Sequence, residues 1–300
     1  MDRIDVMRLF VRIVERGSFA QAARDLQVPR PSATHAIQRL EAELGVRLLE
    51  RSTRNVRPTL DGALYHERCV RLLADLDETE NVFREAEPRG PLRVDMQGTL
   101  ARFFVLPALP AFLARYPGIS LTLSEGDRMV DLITEGVDCV LRAGELTDSS
   151  LIGRRVADFE QLTLASPGYL ERRGVPSTPD ELEGHRMVAY AASATGQPYP
   201  LEFEKDGRMW EIPLPYDVVV RGAEIYTAAG VAGLGVIQVP RYRVEHQIAA
   251  GQLVVVMEAF PPPSMPVSVL YPQSRHLSSR VRVFIEWLSE LFRLAQAQRK

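Results

Sequence analysis

The sequence predicts an α/β protein in three parts. A helix-turn-helix with a basic wing occupies 1–58, a long linker helix 59–88, and alternating strands and helices 89–300. Three observations carry this. Two helical periods meet at a proline-broken turn between Ser18 and Leu44. An apolar stripe continues at helical spacing from Leu60 to Phe83. Beyond Pro91, apolar runs of strand length alternate with amphipathic segments, which implies parallel sheets covered by helices on both faces.

The first element is a helix over 2–16, with Ile4, Met7, Leu9, Phe10, Ile13 and Val14 on its apolar side and Gly17 as its stop. Phe19 is expected in the core. Ser18 and Gln21 have the spacing of a capping box, and Ala22, Ala23 and Leu26 form the inner face of the second helix. Val28-Pro29-Arg30-Pro31 is the break, because proline lacks the donor a helix interior needs but suits a helix start. The third helix runs from Arg30 to Leu44, with Ala33, Ala36, Ile37, Leu40 and Leu44 as its buried stripe. Its other side carries Pro31, Ser32, His35, Gln38 and Arg39, with Thr34 at the flank. Such side chains reach base edges and phosphates when a helix enters a major groove. Gly45 caps this helix, and Arg51-Ser52-Thr53-Arg54-Asn55-Val56-Arg57 reads as the wing.

Charge agrees with that assignment. The chain carries −3 overall, yet residues 1–57 hold eleven arginines against seven carboxylates, a balance of +4. The positive charge therefore gathers on the unit that holds the outward-facing helix, as contact with a phosphate backbone requires. The DNA-contact candidates are Arg30, Pro31, Ser32, Thr34, His35 and Gln38 on the helix, with Arg51, Thr53 and Arg54 on the wing.

The linker helix spans about Pro58 to Ala86. Leu60, Ala63, Leu64, Val70, Leu73, Leu76 and Phe83 make a stripe longer than the small amino-terminal unit can cover, so the helix is expected to pair with another copy. Glu87 to Pro91 is a linker. Strands follow at 92–96, 119–124 and 137–142, with helices at 107–116 and 129–135 between them. A further alternating unit begins near Gln161. It contains a hairpin over 201–210 turning at Asp206-Gly207, a strand near 217–220, a helix from Ala223 and a strand over 234–239. A strand over 266–271 and a helix over 278–294 close the chain.

The run AARDLQVPRPSATHAIQRLEAELGVRLLERSTRNVRPTLDG resembles the winged helix-turn-helix of the LysR-type transcriptional regulators. The layout of the remaining chain is similar to the same family. The family often has Ser at the place of Pro29, which supplies a helix cap, and Arg at the place of His35. The resemblance implies a carboxy-terminal effector domain with two lobes, like periplasmic solute-binding proteins. Lobe I would comprise about 89–162 and 267–300, and lobe II about 163–266. It also implies double-stranded DNA as a partner and assembly into a homodimer or homotetramer, with RNA polymerase a further candidate partner. An unidentified small-molecule effector would bind in the cleft between the lobes, and no cofactor is implied.

Ligands in open α/β sheets gather at the carboxyl ends of strands, where loop amides and helix starts point. This rule and the resemblance select Gln97, Thr99, Leu100 and Arg142 on one side, with Thr195, Arg221 and Glu224 on the other. Thr99 is the leading residue, since a hydroxyl at a helix start can hold a carboxylate, and Arg142 and Arg221 could add charge. Related regulators often have Asn-Asp where this chain has Arg221-Gly222. Each of these residues also has a purely structural reading, as a cap or an ion-pair partner. A small organic anion is the first effector class, and a neutral or aromatic one stays open.

Other classes find less support. The five histidines are scattered without metal-ligand spacing, and Ser166 and Ser193 lack a nucleophile elbow, so neither a metal site nor catalysis is expected. Ala229-Gly230-Val231-Ala232-Gly233-Leu234-Gly235 reads as a helix end turning into a strand, since its glycines follow a helix where a dinucleotide loop would open one. Cys69 and Cys139 give no disulfide framework. No signal peptide and no apolar run of membrane-spanning length is read, so the expected location is cytoplasmic. An exported solute-binding module and an enzyme with an accessory DNA-binding unit are the alternatives. The basic amino-terminal unit argues against the first, and the missing acid, base and nucleophile signatures against the second.

Overall fold

The structure is a computed structural model that describes residues 1–51, 56–81, 87–126, 132, 136–144, 151–191, 196–272 and 277–297. The chain divides into two units, the first mainly Met1–Pro91 and the second mainly Leu92–Pro117, Leu121–Leu277 and Val281–Lys300.

In the first unit, α1 (Arg3–Arg16) starts at a complete capping box formed by Asp2 and Asp5 and stops at Gly17, whose φ of 59° is left-handed. Next is α2 (Phe19–Asp25), where Ser18 Oγ accepts from Gln21 N at 3.4 Å. Among the described contacts this is the forward half of the expected box; the reciprocal one is seen in α1. The turn into α3 (Arg30–Leu44) is made by Gln27 at φ 54° and by Pro29, which leaves the helix start without a side-chain cap. Leu9, Phe10, Ile13, Ala22, Ala23, Ala33, Ile37, Leu40, Leu48 and Leu49 close one apolar core. Ile4 and Leu44, expected inward, are 39% and 37% exposed because each lies at a helix end, beyond the reach of this small core.

The wing is β1 (Leu49–Arg51) antiparallel to β2 (Val56–Pro58). The Glu41 carboxylate fixes its entry by accepting from the amides of Leu48 and Leu49 at 2.8 and 3.0 Å. Then α4 (Leu60–Asn81) packs on α1 through Cys69, Tyr65 and His66, with Phe10 edge-on to Tyr65 at 5.3 Å between ring centroids. Gly62 is the close-approach residue, since a Cβ there would lie 1.9 Å from the Leu48 carbonyl oxygen. Leu60, Leu64 and Leu72 stay exposed at 93%, 52% and 55%.

The second unit is built on two sheets. The larger has the order β4-β3-β5-β14-β6, from β3 (Gly90–Met96), β4 (Ile119–Glu125), β5 (Cys139–Ala143), β6 (Leu151–Phe159) and β14 (Met265–Pro272). The smaller places β7 (Gln161–Ala165) between β12 (Ile237–Pro240) and β13 (Val254–Val256). The chain leaves the larger sheet after Phe159 and returns to it at Met265. Parallel sheets were expected from the alternation, and the structure shows the larger sheet to be mixed. β3 and β5 pair in parallel there, while β14 runs antiparallel to both β5 and β6. The nine-residue β6 escaped the sequence reading because its middle, Gly153-Arg154-Arg155, is exposed and polar.

The sequence also placed a helix start at Pro107, whereas the observed helix, α5, begins at Gly98 and runs to Arg115. Its second segment, Ala101–Val105, is a π-helical turn. Prolines at 107 and 110 disguised its length. At 18 residues and a mean hydropathy of 1.2 it is long and apolar enough to cross a membrane, contrary to expectation, and 28% of it is buried. Leu113 faces outward at 37% exposure, opposite Phe112 at 1%.

Around the smaller sheet lie α6 (Pro167–Arg173), β8 (Ala189–Tyr190) parallel to β11 (Val219–Val220), α7 (Ala223–Val231) and α8 (Glu245–Ala249). The hairpin β9 (Leu201–Lys205) to β10 (Arg208–Ile212) turns at Asp206 and Gly207, both at positive φ as expected. The glycine run after α7 is indeed a helix end feeding β12: a Cβ on Gly235 would meet the Met187 carbonyl carbon at 2.6 Å. The chain closes with α9 (Ser279–Ala297). The helix expected over 129–135 falls mostly outside the described residues.

Candidate functional site

Two regions hold the residues singled out by the sequence, one on α3 and one at the carboxyl ends of β3 and β5. On α3 the buried side is Ala33, Ile37 and Leu40, so the helical period turns Arg30, Pro31, Ser32, His35, Gln38 and Arg39 outward, all exposed. Thr34 is half-buried, and its hydroxyl donates to the Arg30 carbonyl at 3.1 Å, which leaves the oxygen an acceptor. The backbone of Arg51 pairs with Val56 in the wing. The Arg51 side chain, Thr53 and Arg54 lie outside the described residues. Thr59 ties wing to linker helix: its amide donates to Leu48 O at 3.0 Å, its hydroxyl to Arg47 O at 2.7 Å, and its Oγ accepts from Gly62 N at 2.9 Å. Sequence reasoning missed Glu43, which binds Arg39 within α3 and Arg3 of α1. Its spacing of four from Arg39 was the available signal.

At the second region, Gln97 precedes α5 and its amide donates to Leu141 O at 3.1 Å, joining the ends of β3 and β5. Its side-chain Oε1 is buried with no hydrogen-bond partner among the described residues. Thr99 is 3% exposed and its hydroxyl lies 3.3 Å from that of Tyr242. Leu100 is wholly buried and serves as core. Arg142 forms a largely buried ion pair with Asp95, which also accepts from Ser124 Oγ at 2.6 Å. Glu224, in the first turn of α7, pairs with Arg102 of α5 at 3.1 Å. Arg221 is exposed, with a guanidinium nitrogen 3.1 Å from where a Cβ on Gly196 would sit. Thr195 lies outside the described residues. The structure thus gathers Gln97, Thr99 and Arg142 around one pair of strand ends, and reaches Glu224 through Arg102.

Tyr242, Asp95, Arg102 and Glu125 were not foreseen. Glu125 lies over the start of α5, where a Cβ on Gly98 would come within 1.9 Å of its Oε1. The carboxylate of Asp95 inside the apolar strand LRVDM was a legible sign that a cation must face it. Near α7, Tyr226 accepts from Gln238 N at 3.1 Å, and burial pushes its hydroxyl up to about 12. Arg243 donates to Thr227 Oγ at 2.8 Å and to the Ala223 carbonyl, with burial lowering its proton affinity. Cys69 and Cys139 are free and buried, and burial pushes both thiols up. Among the described residues no group of three or more His, Cys, Asp or Glu side chains has metal-holding geometry.

An exposed polar helix backed by a wing, joined through a long helix to a two-sheet α/β unit, defines a transcription factor with a ligand-binding module. Comparison with known proteins agrees. Residues 4–63 match the bacterial regulatory helix-turn-helix protein, lysR family, and residues 85–293 match the LysR substrate binding domain. The chain is 38% identical over 292 residues to the HTH-type transcriptional regulator YhjC of Escherichia coli (strain K12), covering 96% of this chain and 97% of that protein. It is also 38% identical over 294 residues to an HTH-type transcriptional repressor of Pseudomonas aeruginosa (strain UCBPP-PA14), covering 97% and 93%. Among solved structures, CrgA from Neisseria meningitidis, a LysR-type transcriptional regulator, superimposes with a TM-score of 0.57 at 31% identity, over 95% of this chain and 97% of that one. The chain belongs to the LysR-type transcriptional regulator family. Its activity is DNA-binding transcriptional regulation, with a substrate-binding effector domain.

Proposed function

We propose that the protein reads a dyad-like DNA site as a homodimer or homotetramer and changes its hold on that site when a small organic effector enters the effector domain. The observation that carries the reading is α3 itself: a helix with one apolar face in the core and Arg30, Ser32, His35 and Gln38 in solvent. Arg30 and the wing residues Arg51, Thr53 and Arg54 contact phosphate, while Ser32, Thr34, His35 and Gln38 lie against base edges and Pro31 against the groove wall. Exposed Leu60, Leu64 and Leu72 of α4 support pairing with a second copy, and a two-fold assembly matches paired half-sites.

The effector binds at the start of α5, with Thr99 and Gln97 as polar contacts and Arg142, Thr195, Arg221 and Glu224 around them. The Gln97 Oε1, buried without a partner among the described residues, and the Thr99 hydroxyl support this place. Asp95 already neutralises Arg142, and Arg102 pairs with Glu224, so hydrogen bonding carries more of the recognition than net charge. Control proceeds by population shift: effector favours one arrangement of the oligomer by its difference in affinity for the two. The protein acts in the cytoplasm, without a cofactor and without turnover of the effector.

Selection of fragments from its own genome by the purified protein, with and without metabolite extract, tests the reading. Recovery of a few intergenic fragments with an inverted repeat, altered by extract, is expected. Recovery of random fragments whose binding collapses as salt rises would overturn it. A ligand found by thermal shift and then consumed by the protein would favour an enzyme.

A further inference from the structure

Along the flank of α3 lies an ion-pair fork. The Glu43 carboxylate accepts from Arg39 Nε at 2.8 Å, one turn earlier in the same helix. Its other oxygen binds Arg3 Nη1, which comes from the first turn of α1, forty residues away. The side chains of Arg39 and Arg3 are 76% and 49% exposed, and Glu43 is 40% exposed. Hydrogen bonding from Arg39, with a smaller part from Arg3, holds the Glu43 carboxyl below its ordinary range. The three residues border a groove of about 630 Å³ between the start of α1 and α3, and Ser32 and His35 line its α3 side together with Arg39 and Glu43. The fork therefore stands beside the face that the proposed function puts against base edges.

Pairs this exposed add little to the stability of a fold. Their effect lies in the charge offered to DNA. Two arginines alone would each displace a condensed counterion from the duplex, and they would do so on any sequence. With Glu43 between them the fork carries one net positive charge, and both guanidinium groups are held to α3 and α1.

We propose that Glu43 is a positioning residue for DNA recognition, an internal counterion that holds Arg3 and Arg39 along the flank of α3 and restrains their attraction to phosphate on unmatched sequences. The inference rests on α3 facing DNA. Sequence discrimination is the ratio of matched to unmatched affinity, so a device that weakens the charge term common to both sharpens the share contributed by base contacts.

The test uses the full chain, a duplex selected from its genome and a random duplex, each titrated over a range of salt. For Glu43→Gln, binding to the random duplex should tighten about 2- to 30-fold, from two exposed pairs released. The slope of log affinity against log salt should steepen by about 0.9, because the fork's net charge rises by one. The selected duplex should gain less, so the specificity ratio falls, and Glu43→Asp should restore the wild-type slope. Arg39→Ala should make the slope shallower by about 0.9. A wild-type slope and ratio in Glu43→Gln would overturn the inference. If Arg30→Ala and His35→Ala weaken or redirect binding in the same assay, that failure concerns the fork alone. If they bind as wild type, α3 does not face DNA and both readings fall.

Discussion

Replacing Gly62 by alanine sets two physical effects against each other, and the structure decides between them. Intrinsic helix propensity favours alanine over glycine by up to about 1 kcal/mol, so an isolated linker helix would gain. In the folded unit the new Cβ would lie 1.9 Å from Leu48 O and 2.8 Å from Leu48 C. Both are backbone atoms of a residue only 1% exposed, whose neighbour's amide is already bound to Glu41. The start of α4 must therefore move away by more than an ångström to reach an ordinary contact distance. That movement stretches the 3.0 Å bond from Thr59 N to the same carbonyl. Overpacking of this kind costs about 1–3 kcal/mol, and a weakened hydrogen bond adds about 1 kcal/mol. After the propensity gain, the net loss is about 1–3 kcal/mol.

Hydrogen exchange on the full-length protein reads this locally, since each subglobal opening reports its own free energy. Amides of α1, α3 and the first turns of α4 should exchange about 5- to 150-fold faster in Gly62→Ala, while those of β3, β5 and β14 should not change. Slower exchange at α4 would show that propensity outweighs the contact and that the close approach of α4 to Leu48 is wrong.

Arg142→Ala leaves the buried Asp95 carboxylate without its cation and should cost the second unit about 3–5 kcal/mol in urea unfolding, whereas a loss below about 1 kcal/mol would show that water replaces the arginine. Burial, reinforced by the Arg173 charge, holds His185 below its ordinary range, so the native state keeps it neutral and the unfolded chain takes the proton first. The stability it contributes is complete above about pH 6.5 and is lost as pH falls toward the folded value, so the melting gap between wild type and His185→Gln should narrow from about pH 7.5 to 5.5. A constant gap would show an ordinary histidine. Arg30→Ala should weaken binding to all duplexes by a similar factor, and His35→Ala should change which fragments are selected more than overall affinity; unchanged selection and affinity in both would remove α3 from the interface.

The amino-terminal unit was legible because its signals are local. Gly17 and Gly45 stop helices where a left-handed residue is needed, and Pro29 and Pro31 start one. The period of Ala33, Ile37 and Leu40 then sets which face of α3 is outward without any tertiary knowledge. The second unit was legible as alternation, but its pairing was not. Strand direction depends on where the chain re-enters the sheet, and Met265–Pro272 inserts between β5 and β6 from the far end of the sequence. Nor does spacing reveal that Arg142 faces Asp95, 47 residues earlier. The candidate effector residues were found by rule, as the ends of strands. The partners that decide their chemistry, Asp95, Arg102 and Tyr242, come from elsewhere in the chain.

Tyr242 shows why those partners matter to the proposed control. Its hydroxyl meets Thr99 at 3.3 Å, and its ring packs against Phe104 and Phe159 with centroids 4.9 Å away in each case. Phe159 ends β6, where the chain leaves the larger sheet, and Glu160 beside it holds Arg241 through two bonds of 2.7 and 3.1 Å. The π-helical turn at Ala101–Val105 adds a residue to the helical turn, so that Thr99 and Phe104 of one helix both address this single tyrosine. A ligand that takes the Thr99 hydroxyl on the proposed function must therefore act on the residue that also packs the crossing between the two sheets. In a close-packed interior such a contact has few intermediate positions, and competition for one hydrogen bond becomes a choice between two packings.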